Sequence, residues 1–550
     1  MYDDMVTLFH FYVCVFQIFL FFLHKRQRFM PIFDKKSYLN TSILYKGHIH
    51  KIEQFAVKYK KNKLPIVLKR SNDDAMTLRN TIQYKQRCTE IYNPFDDIIQ
   101  LNTKKRTVHV GAMITMGKLM NYLYPLGYAL SVVPEFKSLT VGGLISGSGL
   151  ESSSVHYGLF PLQCIEYTVV LGNGEIKKVT EKTEPELFSA IPLSYGTLCM
   201  ILDVVMTIIP VKPNIKLECV CIKDYSIVQN ELDKILKQSE EYDFIEGIIY
   251  SKTKTVIIKG VFTDTLLYPV IHPVTWYDPY FYQEIEKNVD ECKYECTMNL
   301  LDYYFRHDRG SFWIFKHIIG DNKLCRTLNP FINHASDKNI IMQPLLKGIL
   351  NYKNIEIQDT IVPLSKVQSI LDFVDINYSI YPIWLCPCRN IDTSLNQKQM
   401  LYNLLKNGDI KELIQYIKSN KEFFNEDKID VLLLKLSATI HMDESIEMII
   451  DELQIKTSLL GILQLPSLED FYVDIGIYGC SSKSHNKDKL LALLENITNK
   501  NEGFMGQYIV TPNTRDNFDK NILKKHWYMY MRKKYHAVGS YPNIYDKLCK

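Results

Sequence analysis

The chain has 550 residues, 46% of them hydrophobic and 23% charged, a balance that excludes a largely disordered protein. Its 24 Gly and 21 Pro exclude a collagen-like or linker-rich one. The 65 Lys+Arg against 61 Asp+Glu leave a net charge of +4, too small and too evenly spread to point to nucleic acid.

The first predicted element is apolar. Val6 to Leu23 holds six Phe and no formal charge, and its 18 residues are about the minimum for a helix to cross a hydrocarbon core of about 30 Å. Lys25, Arg26 and Arg28 follow at once, and no small-residue cleavage site does. That order predicts a retained single-pass anchor over 6–23, with the rest of the chain cytosolic. The alternative is a buried apolar helix.

From His48 to Tyr59 the spacing predicts a helix, and Arg106 to Val110 alternates as a strand. Thr115 to Leu126 has apolar residues at helical spacing after a turn. Glu166 to Val179 places two alternating runs around Gly172-Asn173-Gly174, a hairpin signal. Leu198 to Pro210 returns as a strand that proline ends. Residues 45–210 therefore read as one α+β unit. Beyond Pro210, strand-like segments alternate with longer helical stretches through 211–389 and again in 466–550. Residues 390–465 are almost purely helical in pattern and predict an insertion, dispensable for cofactor binding. The thirteen cysteines include no C-x-x-C and no zinc-type His pairing, so they read as buried thiols in a reducing compartment, with no metal expected.

Between Thr140 and Ser154 the chain carries four glycines in eight residues and several serines. This is neither G-x-G-x-x-G nor a Walker loop. The composition nevertheless suits backbone N–H groups that approach a phosphate, although a tight glycine-rich turn explains it equally well. The wider stretch Val133 to Phe160, which reads VPEFKSLTVGGLISGSGLESSSVHYGLF, closely resembles the flavin-binding signature of the delta(24)-sterol reductase (Diminuto/seladin-like) family. That family belongs to the vanillyl-alcohol-oxidase/PCMH group. The resemblance continues at Leu187 to Leu198, Ile209 to Pro213, Tyr303 to Trp313, Tyr381 to Pro387, Phe471 to Gly479 and Tyr545 to Cys549. It departs at Leu68 to Asp74, which keeps Arg70 but has no glycine, and at Cys199, where relatives commonly carry Gly.

The resemblance implies an α+β protein: a two-subdomain PCMH-type FAD-binding domain, an α+β cap over the substrate face, and an N-terminal transmembrane helix. It implies FAD along Thr140, Val141, Gly142, Gly143, Leu144, Ile145, Ser146, Gly147, Ser148, Gly149, Leu150, Glu151 and Ser152, with Gly196 and Thr197 approaching from the other side. It implies reduction of a sterol side-chain double bond at carbon 24, with NADPH as donor, at the endoplasmic reticulum membrane. Such an alkene has no carbonyl to polarise it, so an acid must protonate carbon 24 while hydride reaches carbon 25. His307 suits an acid by type, with Tyr472 and Tyr478 next. Structural roles are the plain alternative for all three. Another flavin oxidoreductase of the same group, or an inactive membrane-tethered homologue, stays open at this point.

Overall fold

The computed structural model describes residues 41–62, 65–69, 83–274, 278–289, 293–318, 320–326, 355–390, 469–481, 486–506, 514–523 and 525–549. The expected anchor over 6–23, Arg70 and the helical insertion beyond Asn390 lie outside the described residues. Among those described, no helix is long and apolar enough to cross a membrane.

The first unit begins with α1 (Thr41–Lys60), followed by β1 (Ile66–Lys69) and β2 (Thr89–Tyr92), which pair in parallel. Then come β3 (Ile98–Asn102), β4 (Thr107–Gly111), α2 (Met116–Leu123), α3 (Val141–Gly147), β5 (Cys164–Val170), β6 (Ile176–Val179) and β7 (Met200–Thr207). The last five strands form an antiparallel sheet in the order β3-β4-β7-β5-β6. Helix α2 forms because Thr115 accepts the Lys118 N–H at its N-terminus while Met116, Leu119, Met120 and Leu123 bury one face. The expected hairpin joins β5 to β6, with Gly174 at φ 79°, backbone that glycine adopts without steric cost.

The second unit contains β8 (Asn214–Ile222), α4 (Val228–Leu236), β9 (Phe244–Ser251), β10 (Lys254–Thr263), β11 (Lys293–Asn299), α5 (Leu300–Tyr304), β12 (Ile355–Pro363), α6 (Val367–Asn377), β13 (Ile383–Arg389), β14 (Phe471–Cys480), α7 (Lys487–Lys500) and β15 (Phe504–Met505). Its eight strands lie in the order β11-β8-β10-β9-β13-β14-β12-β15, every pair antiparallel. The period of two along each strand gives this sheet two apolar faces. Ile245, Ile249, Leu385, Val473, Ile475 and Ile477 pack under α4, α6 and α7. On the other face Phe244, Ile248, Trp384, Cys386, Ile361 and Tyr478 join the core of the first unit. The two units thus share one core, and polar residues of that second face lie at the seam between them.

The end of the chain corrects the expected boundary. The sequence reading assigns 466–550 to the substrate domain; β14 and β15 lie in the cap sheet, whereas the C-terminal segment packs on the first unit. Within α8 (Lys525–Lys534), Arg532 donates to the carbonyl of Thr197 at 2.6 Å. Tyr541 donates to the Val170 carbonyl at 2.7 Å. A Cβ on Gly172 would lie 1.7 Å from the His536 carbonyl oxygen, so only glycine lets these two backbones meet. No disulfide joins the described cysteines.

Candidate active site

The glycine-rich segment forms α3 and the turn after it. Thr140 is the N-cap, its side chain accepting the Gly143 N–H. The Val141 N–H goes to the Ile114 carbonyl and the Gly142 N–H to that of Ala112. These three donors are therefore committed within the protein, so the start of α3 is not a free anion nest. A Cβ on Gly142 would sit 3.0 Å from Ala112, so this glycine serves helix-on-strand packing. Val141, Leu144 and Ile145 are buried in the core.

The end of the segment differs. Ser148 has φ 62° and ψ 160°, a region occupied almost only by glycine and costing other residues about 1–3 kcal/mol. Its side chain is buried, and its hydroxyl has no hydrogen-bond partner among the described residues. Gly147, Ser148, Gly149 and Leu150 line a narrow cleft with Leu193 and Tyr195 on one side and Ile361, Phe504 and Met505 of the cap on another. The turn leading to Gly196 is tied to this segment: the Leu193 N–H donates to the Ile145 carbonyl and the Tyr195 N–H to that of Ser146. Thr197 does not face the cleft with a free group. It is fully buried, donates to the Ser194 carbonyl at 2.7 Å and accepts from Tyr528 at 3.1 Å.

Glu151 and Ser152 turn away from the cleft into a buried ionic network. Arg306 donates to Glu151 at 3.0 Å and to Glu246 of β9 at 2.7 and 2.8 Å. Ser152 donates to Glu151 at 2.6 Å and accepts from Tyr303 at 3.0 Å. Trp384 donates its indole N–H to Glu246 at 2.9 Å. Burial pushes the Glu246 carboxyl up, but Arg306 and His307 outweigh that and hold it well below the usual range. The network spans the seam and is a structural strut rather than a phosphate contact.

His307 lies inside this network. Its Nε2–H faces Glu246 at 3.3 Å, and its ring stacks on Phe312 with centroids 4.3 Å apart. Burial, then the neighbouring Arg306 charge, push its pKa down to about 4. It is neutral near pH 7, which removes the property that recommended it as an acid.

Tyr472 and Tyr478 share one face of β14 but not one place. Tyr472 sits opposite Pro363 and Cys388 near the start of the strand. Tyr478 folds back over Gly476, where a Cβ would meet its hydroxyl at 2.6 Å, and donates to Asp359 of β12, the residue opposite Gly476. Asp474 lies on the same face opposite Ile361 and Cys386, with Oδ1 unpartnered among the described residues. Burial pushes Asp359 up to about 7, partly offset by the Tyr478 bond. Burial, then Asp359 and Glu135, hold Asp474 well above the usual range. Burial, then Glu151, does the same to Glu135. Phe312 and Trp313 pack on Tyr478, with Phe312 4.7 Å from Tyr478 and 5.0 Å from Trp384 between ring centroids. Asp359 escaped the sequence reading, although a lone carboxylate on the face formed by Ile355, Ile357 and Ile361 is a signal.

A second buried polar group lies in the first unit. His48 of α1 and His109 of β4 each approach a different oxygen of Asp203 on β7 at 2.7 Å. Burial raises the Asp203 carboxyl, but the two imidazoles outweigh it and bring it to about 2. An ionised carboxylate only accepts, so each Nε2 donates.

A family model described as FAD binding domain matches residues 60–180. The chain is 30% identical over 489 residues to the Delta(24)-sterol reductase homolog dhcr-24 of Caenorhabditis elegans, spanning 85% of this chain and 80% of that protein. It is 27% identical over 495 residues to the Delta(24)-sterol reductase of Arabidopsis thaliana, spanning 86% and 79%. With the human Delta(24)-sterol reductase it shares 34% identity over 316 residues, 56% of this chain and 60% of that protein.

Proposed function

This chain belongs to the delta(24)-sterol reductase family, and from that premise we propose that it is an FAD-dependent reductase that saturates the carbon-24 double bond of a sterol side chain. The observation that carries the reading is Ser148: a buried, unpartnered hydroxyl on strained backbone, in a cleft where the cofactor domain meets the cap. Strain of this kind persists only where the surroundings impose it and gathers at ligand sites. Gly147 to Leu150 and the turn of Leu193 to Gly196 would hold FAD. Bound and reduced, FAD supplies hydride to carbon 25.

The chain's own residues have three tasks. The seam must exclude water, and the aromatic and aliphatic side chains of the shared core do so. The sterol must lie between the cleft and the cap face. A proton must reach carbon 24 from a group that is protonated near neutral pH, and His307 is not one. NADPH, as electron donor, would visit the same cleft, since the sequence carries no separate dinucleotide fingerprint. The sterol is a membrane lipid, which fits an anchor at 6–23 and an endoplasmic reticulum location.

The test is direct. Purified full-length protein should be yellow, NADPH should bleach its flavin, and a 24-unsaturated sterol should be consumed with a mass gain of two hydrogens. A yellow protein that NADPH bleaches but that leaves the sterol intact would make it a different flavin oxidoreductase. A colourless protein that binds no FAD would leave a binding role.

A further inference from the structure

We infer that Asp359 is the acid that protonates the alkene, and that Tyr478 positions it and stabilises the carboxylate left behind. The inference rests on the reading above and names the proton donor of that site. Four observations converge on it. Asp359 lies on the cap face at the seam, two residues along β12 from Ile361, which lines the cleft. That places it roughly 7 Å from the cleft wall. The Tyr478 hydroxyl donates to one of its oxygens, which leaves the other to carry a proton. Its titratable neighbours, Tyr478 and Asp474 from β14 and Glu135 from the segment before α3, are neutral or acidic. Burial keeps those carboxyls above their usual range as well, and the Arg306 cation is committed to Glu151 and Glu246. Finally, Phe312 and Trp313 pack against the Tyr478 ring, and Trp384 against Phe312.

Each part has a chemical use. An unpolarised alkene needs a carboxylic acid rather than a phenol, because the weaker acid makes the step more costly. The π electrons form the new C–H bond at carbon 24 with the Asp359 proton, and positive charge appears on the tertiary carbon 25. Aromatic faces attract a desolvated cation, and the new Asp359 carboxylate lies near it. The Tyr478 bond strengthens as that carboxylate forms, which is differential binding of the transition state. A bound, reduced flavin would supply the hydride that closes the valence of carbon 25, and Asp359 regains one proton from water.

The experiment separates two half-reactions in full-length FAD-loaded enzyme by stopped-flow absorbance. NADPH bleaching reports flavin reduction, and re-yellowing after a 24-unsaturated sterol is added reports proton and hydride transfer together. For Asp359→Asn we expect normal flavin content and bleaching, with re-yellowing slowed at least 100-fold. For Tyr478→Phe we expect a 10- to 100-fold slowing. Its falling pH limb should move above the wild-type value near 7, because the lost donor bond had lowered the Asp359 pKa. An infrared difference spectrum between pH 5 and 9 should show a protonated-carboxyl band in wild type that Asp359→Asn lacks. Re-yellowing of Asp359→Asn within threefold of wild type overturns the assignment, as does a limb that stays put in Tyr478→Phe. Should Asp359→Asn fail to fold, the pH limb of Tyr478→Phe decides. Wild type that never re-yellows with sterol overturns the functional reading instead.

Discussion

At the scale of single residues, the informative ones break a local rule. Ser148 occupies backbone that suits glycine, and it buries a hydroxyl with no partner. Both cost free energy in the unliganded protein, so replacing it should have opposite effects on stability and on binding. Ser148→Gly should stabilise the FAD-free protein by about 1 kcal/mol, within the roughly 1–3 kcal/mol ascribed to such strain. It should also weaken FAD binding about 2- to 10-fold, the worth of one hydrogen bond. Urea unfolding of the apoprotein and a flavin-fluorescence titration check the two signs. A variant that loses stability and keeps its FAD affinity would place the cofactor elsewhere. Gly142 obeys a different logic. The glycine pattern pointed to close approach of a phosphate, whereas the approaching atoms belong to Ala112. Composition reveals that backbone must come close there, but not what comes close.

Elements show the same division between local and distant information. The β5–β6 hairpin was legible because its turn residues are contiguous, and α2 because its cap and apolar stripe lie within nine residues. Strand β12 was harder. All nine of its residues are buried on two covered faces, so the alternation that marks a half-exposed strand is missing. Asp359 meets Tyr478 across 119 residues, and only the β12–β14 register brings them together. The Asp203 clamp is another such case, since it joins α1 to β4 and β7 from three distant segments. Its energetics can be read from the carboxyl. The folded value of about 2 lies below the ordinary 3.8. The depressed group therefore contributes stability that is fully present above pH 3.8 and lost as pH falls through 2. The difference is worth about 2–3 kcal/mol. Urea unfolding of wild type should lose that amount between pH 5 and 2. Asp203→Asn should already lack it at pH 5 and show a correspondingly flatter acid limb. Parallel acid limbs in the two proteins would mean that the imidazoles do not hold the carboxylate ionised.

For the whole molecule, the question is what keeps two units in one register across a seam that must also admit a cofactor and a lipid. The shared apolar core supplies adhesion but little direction. Direction comes from Arg306, whose guanidinium binds Glu151 of the glycine-rich segment and Glu246 of the cap sheet while fully buried. Buried ion pairs of this kind add little net stability compared with apolar groups, yet breaking one is expensive because the partner charges stay behind. Arg306→Met should therefore cost about 3–5 kcal/mol, with two carboxylates stranded in the core. Adding Glu151→Gln and Glu246→Gln should recover most of that loss, since the stranded charges are then gone. Flavin retention should not recover in the triple variant if the strut sets the alignment of the units, because neutral amides and a thioether cannot restore the bidentate geometry. The measurements are urea unfolding and the flavin-to-protein absorbance ratio after gel filtration. A triple variant that regains both stability and flavin would show that the apolar core alone aligns the two units, and that the ion pairs serve only to neutralise one another.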